Sequence, residues 1–297
     1  MNANLEYYKV FYHVGKLKSI SLAAEELAVS QPAVSQSIRN LERELGSSLF
    51  MRTSKGVRLT AEGEVLFSYV SRGYEMILLG EKKFLEMQDL ESGEICIGAS
   101  DMTLQFFLLE YLEHFHERYP KIKVTVTNAT TPETLRHLQE GRIDFGVVST
   151  PMEQGKNLHM TPVRRIEDIF VAGKKFSYMQ GGKLSYKELE GMPIMCLEGN
   201  TSTRRYVEQF LKEQNVRIDP EFELPTSDML IQFAKRGLGV ASVVKDFALE
   251  GIAKGELFQI VFDKPIPKRE FCVVVDDRVP MTAAAKRMLD FVLAEEV

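Results

Sequence analysis

The chain has 297 residues, 44% of them hydrophobic and 27% charged, the proportions of an ordinary globular protein with room for two or three domains. No apolar run approaches the roughly 20 residues needed to cross a bilayer, and the opening MNANLEYYKVFYH spaces its aromatic residues helically, so neither a membrane span nor a secretory leader is expected, and the protein is expected in the cytoplasm. Residues 1–60 hold eight Lys/Arg against five Glu in a chain of net charge −5, and a cationic head on an acidic body points to a polyanionic partner at one end.

Leu5, Tyr8, Phe11 and Tyr12 fit one face of a first helix, ended by Gly15 and the basic stretch Lys16–Lys18. Ser21 fits the N-cap of a short second helix, LAAEELA, with Leu22, Ala23 and Leu27 inward and Glu25 and Glu26 outward. Ser30 caps a third, in the stretch VSQPAVSQSIRNLEREL. Pro32 is tolerated in its first turn because the missing N–H would have had no intrahelical partner there.

On a wheel of about 100° per residue, Val34, Ile38, Leu41 and Leu45 gather on one side of this third helix. Pro32, Gln36, Arg39 and Arg43 gather opposite, with Ser35 at the shoulder. Gln can bond a base edge or a phosphate and Arg can fork onto guanine or phosphate. The free amides of the first turn, around Ser30 and Gln31, can hold a phosphate. Any surface helix has a polar face, so the ridge alone leaves a DNA reader and a solvated face evenly balanced. The short helix before it, joined through Ala28–Val29–Ser30, tips the balance to a helix-turn-helix. LFMRTSKGVRLT then reads as a hairpin whose Arg52, Thr53, Lys55 and Arg58 form a basic wing.

Thr60 caps a long helix spanning about residues 61–87. Its stripe of Leu66, Val70, Tyr74, Ile77, Phe84 and Met87 needs a partner surface. Self-association is the first reading and docking on the chain's own body the second. From Gly93 strands and helices alternate: ICIGA, FFLLEYLEHFHERYP, KVTVTNA, a helix near residues 132–140, and DFGVVS. A second series holds DIFVAG, PIMCLEG, helices over 203–214 and 227–236, and GVASVV, before REFCVVVDD and a last helix over 282–294. Such alternation predicts mainly parallel sheets with covering helices. Pro162, Pro265 and Pro267 suggest two lobes joined by two crossing strands, the last stretch completing the first lobe.

The segment SISLAAEELAVSQPAVSQSIRNLERELGSSLFMRTSKGVRLTAEG closely resembles the N-terminal domain of LysR-type transcriptional regulators. FFLLEYLEHFHERYPKIKVTV and FAKRGLGVASV are further family-like stretches, so the resemblance covers the whole chain. It implies an α/β protein with a winged helix-turn-helix (1–60), a linker and dimerisation helix (61–90), and an effector-binding domain (91–297). That last domain would be two Rossmann-like lobes resembling periplasmic binding proteins, lobe I 91–162 with 267–297 and lobe II 163–266. It further implies a homodimer through the linker helix, assembly as a dimer of dimers, and contact with RNA polymerase. The DNA would be double-stranded with an interrupted inverted repeat, and no cofactor is implied beyond a small-molecule effector.

Ligands of such folds bind at the carboxyl ends of strands and at helix N-termini. Hydroxyl groups recur there: Ser100 and Thr103, Thr130 and Thr131, Ser149 and Thr150, Thr201 with Ser202 and Thr203, and Thr226 with Ser227. N-capping would select the same residues, but their recurrence at successive junctions, together with the family precedent, favours a polar cleft for a small polar metabolite. Asp101 would repel a carboxylate if it pointed inward. It could instead take an ammonium or hydroxyl group, or face solvent, and Arg204 could counterbalance it.

Neither a phosphate-cradling GxxxxGK[ST] nor a GxSxG elbow occurs. His114 and His116 lie two apart on a helix and cannot share a metal. Cys96, Cys196 and Cys272 lie far apart in β-like runs, with neither disulfide nor zinc spacing; Cys196 has no nearby cysteine to resolve a redox intermediate. An enzyme or a two-lobed binding protein without DNA binding stands as the alternative.

Overall fold

In the computed structural model, which describes residues 4–53, 56–86, 93–152 and 155–294, the chain divides into two units, residues 1–85 and 86–297. Helix α1 (Leu5–Leu17) opens the first and ends at Lys18, which takes a left-handed φ of 53°. Gly15, expected to stop this helix, lies inside it. A Cβ there would meet the Phe67 ring at 2.5 Å, so glycine is needed for close approach. Gly15→Ala should therefore cost about 1–3 kcal/mol through overpacking, read from the urea midpoint of the first unit's transition; a parent-like midpoint would show that the ring has room to move. Leu5, grouped on one face with Tyr8, Phe11 and Tyr12 from the sequence, is 77% exposed.

Helix α2 (Ile20–Glu26) is capped by Ser19, whose Oγ accepts the Leu22 N–H, not by Ser21. In this frame Ala23 and Ala24 bury while Leu22 faces solvent. Helix α3 (Gln31–Leu45) is capped by Ser30 and closed by Gly46 at φ 71°. Its Val34, Ile38 and Leu41 bury in a core shared with Phe11, Leu49 and Val57. Strands β1 (Phe50–Thr53) and β2 (Gly56–Leu59) pair antiparallel. Glu42 of α3 accepts the N–H groups of Leu49 and Phe50, which fixes the hairpin's root to that helix.

Helix α4 (Ala61–Glu86) starts where the Thr60 hydroxyl accepts the Gly63 N–H at 3.0 Å. Its predicted stripe splits. Leu66 and Val70 pack back on the N-terminal core, and Tyr74 lies 4.8 Å from Tyr12, ring to ring, so the chain's own body takes this part. Ile77 and Phe84 stay exposed, with Val65, Tyr69, Met76 and Leu85; Met87 lies outside the described residues.

The second unit contains two α/β lobes. The first begins with β3 (Gly93–Ala99) and α5 (Asp101–Thr103), which runs through a π-helical turn at Leu104–Leu108 into α6 (Leu109–Arg118). It continues with β4 (Ile122–Asn128), α7 (Thr131–Gln139), β5 (Phe145–Ser149) and β6 (Leu158–Ile166). The second lobe holds β7 (Asp168–Gly173), β8 (Lys183–Leu184), β9 (Ile194–Leu197), α8 (Ser202–Glu213) and β10 (Pro220–Leu224). It closes with α9 (Ser227–Lys235), β11 (Val240–Val244), α10 (Lys245–Ala253) and β12 (Leu257–Phe262). The chain then returns to the first lobe as β13 (Arg269–Asp276) and α11 (Ala283–Leu293).

The sheet orders are β4-β3-β5-β13-β6 and β10-β9-β11-β7-β12-β8. Both are mainly parallel as expected, with every strand but one in each running the same way among the described residues. The exceptions are the strands by which the chain enters a lobe: β13 runs antiparallel to β5 and β6, and β7 to β11 and β12. Pro162 does not mark a crossing: it sits at a register shift in terminal strand β6, opposite Cys272, a site where a missing N–H is tolerated. The change of sheet comes at Glu167, and the return passes Pro265 and Pro267.

At the two crossings Arg269 and Asp168, 3% and 2% exposed, form a two-pronged ion pair. Nη2 donates to Oδ1 at 2.7 Å and Nε to Oδ2. The same guanidinium donates to the Thr203 hydroxyl at 2.9 Å and to the Thr150 carbonyl at 3.2 Å, and lies over the Tyr206 ring.

Candidate functional site

The anchored face of α3 leaves Gln31, Pro32, Gln36, Arg39 and Arg43 exposed, with Ser30 exposed at the cap and Ser35 half-buried. Asn40, which the wheel did not single out, organises this ridge. Its Oδ1 accepts from Gln36 Nε2 at 3.0 Å and from Arg43 Nη2 at 3.1 Å, and its Nδ2 donates to the Tyr7 hydroxyl. The signal was the spacing, since Asn40 stands four residues after Gln36 and three before Arg43, where helical neighbours meet. Arg39 Nε donates to the Ser35 carbonyl at 3.3 Å.

In the wing, Arg52 pairs with Val57 and Arg58 with Met51. Cross-strand partners share a face and successive residues alternate, so the two arginines lie on opposite faces of the hairpin. Thr53 donates its hydroxyl to the Gly56 carbonyl, and Lys55 lies outside the described residues.

In the second unit a cavity of about 100 Å³ opens between the lobes. Of the residues picked from the sequence, Ser100, Asp101, Thr130, Thr131, Ser149, Thr201, Ser202, Thr203, Thr226 and Ser227 line it, joined by Asn128, whose amide carries no hydroxyl to mark it. Thr103 and Thr150 do not. Thr103 is fully buried, taking the Ser100 N–H at 2.9 Å in a capping box, and Thr150 bonds the Glu270 backbone at the crossing.

Capping and cavity lining turn out to be compatible roles divided among these groups. Ser100, Thr201 and Thr226 accept N–H bonds from their own helices, and Thr130 is tied to Glu133. Ser202 Oγ is buried without a hydrogen-bond partner, as is Asp101 Oδ2, whereas Asp101 Oδ1 accepts the Met102 N–H at 2.9 Å. Burial holds the Asp101 carboxyl above its ordinary range against the Met102 and Ser227 amides, and nearby Asp228 pushes the same way as burial.

Arg204 is no counterweight. Its guanidinium turns to Glu208 at 2.7 Å, to the Leu197 carbonyl at 3.2 Å and toward Glu223, so Lys, Arg and His are all missing from the described cavity wall. Cys196 is buried on β9 with its thiol pushed up to about 11, chiefly by burial, which suppresses the reactive thiolate. Among the described residues no group of three or more His, Cys, Asp or Glu could hold a metal, and no helix is long and apolar enough to cross a membrane.

The family described as "LysR substrate binding domain" matches residues 88–296, and "Bacterial regulatory helix-turn-helix protein, lysR family" matches residues 5–64. The chain belongs to the LysR family. It is a LysR-type transcriptional regulator with an effector-binding domain, not an enzyme. The HTH-type transcriptional activator CmpR of Synechocystis is 23% identical over 99% of this LysR-type chain and 96% of its own length. The HTH-type transcriptional regulator YofA of Bacillus velezensis is 29% identical over 80% of this chain and 81% of its own.

Among solved structures, full-length CbnR complexed with its target DNA covers 98% of this chain and 99% of its own at TM-score 0.66 and 17% identity. The Synechocystis CcmR regulatory domain in complex with 2-PG covers 68% and 96%, at TM-score 0.62 and 19% identity. These likenesses establish the fold: a helix-turn-helix followed by a two-lobed α/β domain.

Proposed function

We propose that this regulator reads double-stranded DNA carrying an interrupted inverted repeat and answers to a small polar metabolite held between its lobes. Residues 1–60 are the reader, residues 61–90 the pairing helix and residues 91–297 the sensor. The exposed ridge Gln36–Arg39–Arg43 enters a major groove, the first-turn amides behind Ser30 meet phosphate, and Arg52, Thr53, Lys55 and Arg58 reach the adjoining backbone. Two chains pair through the exposed apolar residues of α4, dimers pair again, and the assembly works in the cytoplasm with RNA polymerase.

The observation that carries this reading is the convergence of strand–helix junctions from both lobes on one hydroxyl-lined cavity, a site whose occupancy favours one relative lobe position over another. A nuclease footprint of the full chain on genomic fragments tests it. Two protected half-sites should appear, about 10 base pairs apart or a multiple of that spacing, with their pattern changing when metabolite extract is added. Catalytic turnover by a chain that leaves DNA unprotected would sink the proposal.

A further inference from the structure

The cavity combines features that an ordinary anion site would not. On one wall, helix α8 presents its N-terminus: the amides of Ser202 and Thr203 precede the first intrahelical donor and are left unspent. Ser202 lines the cavity and is 7% exposed, yet its buried Oγ has no hydrogen-bond partner. Thr203 accepts from Arg269, which leaves its own hydroxyl hydrogen to donate. These groups suit a carboxylate.

The first lobe supplies the opposite chemistry. Asp101 lines the cavity with its Oδ2 buried and outside close hydrogen-bond geometry, the Ser227 amide lending its charge only partial support. Asp228 adds negative potential nearby, and Arg204, two residues after Ser202 on α8, is spent on Glu208 and Glu223. Arg269 stands behind Thr203, but its charge is matched by Asp168. A dianion entering this space would place its charge beside a carboxylate with no cationic side chain among the described lining to offset it, an arrangement that costs free energy in a partly desolvated site.

Resting on the metabolite-sensing reading above, we infer that the cavity selects a small zwitterion, an amino acid or similar amino carboxylate, with its ammonium on Asp101 Oδ2 and its carboxylate on Ser202, Thr203 and the α8 amides. The space is small against the roughly 300–1,000 Å³ of pockets for larger ligands, which favours a compact molecule.

Calorimetric titration of the full chain tests this with matched pairs: glycine against glycolate, alanine against lactate, serine against glycerate, and 2-PG as a pure anion. At least one amino compound should bind about ten-fold or more tightly than its hydroxy partner, the equivalent of one lost charged hydrogen bond. Asp101→Asn should remove that preference, and Ser202→Trp, which fills the cavity, should abolish binding. The ligand comparison on the unaltered chain decides the matter even if a variant folds poorly. Tighter binding of the hydroxy acids or 2-PG, lost in Ser202→Trp, would overturn the zwitterion assignment and leave metabolite sensing intact. Binding by none of the compounds would also overturn it, with the DNA footprint still judging the broader reading. Binding that survives Ser202→Trp in a folded protein would place the effector elsewhere and overturn both.

Discussion

Arg269→Ala is expected to cost the second unit about 3–5 kcal/mol, the penalty for leaving a buried charge without its partner. Asp168 is 2% exposed and takes both of its close cationic contacts from this guanidinium, so the substitution strands a buried carboxylate. The Thr150 carbonyl and the Thr203 hydroxyl lose a donor at the same time. Urea unfolding of the full chain, followed on the second unit's transition, measures the loss; a change under about 1 kcal/mol would mean that the site relaxes and rehydrates. The double substitution Asp168→Leu with Arg269→Met should recover most of the loss, because an apolar pair of similar volume removes the stranded charge.

The second large effect concerns DNA. Replacing Gln36 and Arg39 together by Ala should weaken operator binding by about 100-fold or more, since each well-placed contact to a base edge discriminates by about 1–3 kcal/mol. Both side chains are exposed and off the packed face, so the first unit's melting temperature should hardly move. The salt dependence separates the roles. If Arg39 grips a phosphate, Arg39→Ala lowers the slope of log affinity against log salt by about one; if it reads a base, the slope holds and sequence choice relaxes. Unchanged affinity in the double variant would remove α3 from the reading role.

The sequence was most legible where one residue decides a local outcome. Ser30 and Gly46 bracket α3 as caps, and the hydroxyls after β3, β4, β9 and β10, with Ser149 at the end of β5, mark the cavity because strand ends and helix starts are fixed by the same short polar groups. It was least legible where the deciding neighbour is remote. Gly15 looked like a helix stop because nothing local reveals the Phe67 ring pressed against it. Pro162 looked like a crossing because the bulge that accommodates it exists only in the pairing with β13. Arg204 looked available to Asp101 until the fold brought Glu223 to it. Asn40 was missed for a different reason, since a wheel sorts residues by direction and does not show which of them hold hands along a ridge.

The place of β13 in the first sheet has a consequence for how the protein is born. Thr150, just after β5, bonds Glu270 of β13 across 120 residues of chain. At about 5–20 residues per second, a ribosome needs roughly 6–24 s to make that span. Through this interval β5 waits with an open edge while the whole second lobe emerges. The core of the DNA-reading unit, by contrast, lies within residues 1–85 and is already synthesised. A growing chain thus holds its DNA-reading segment well before the sensor can close, and responsiveness to ligand is the last property it acquires.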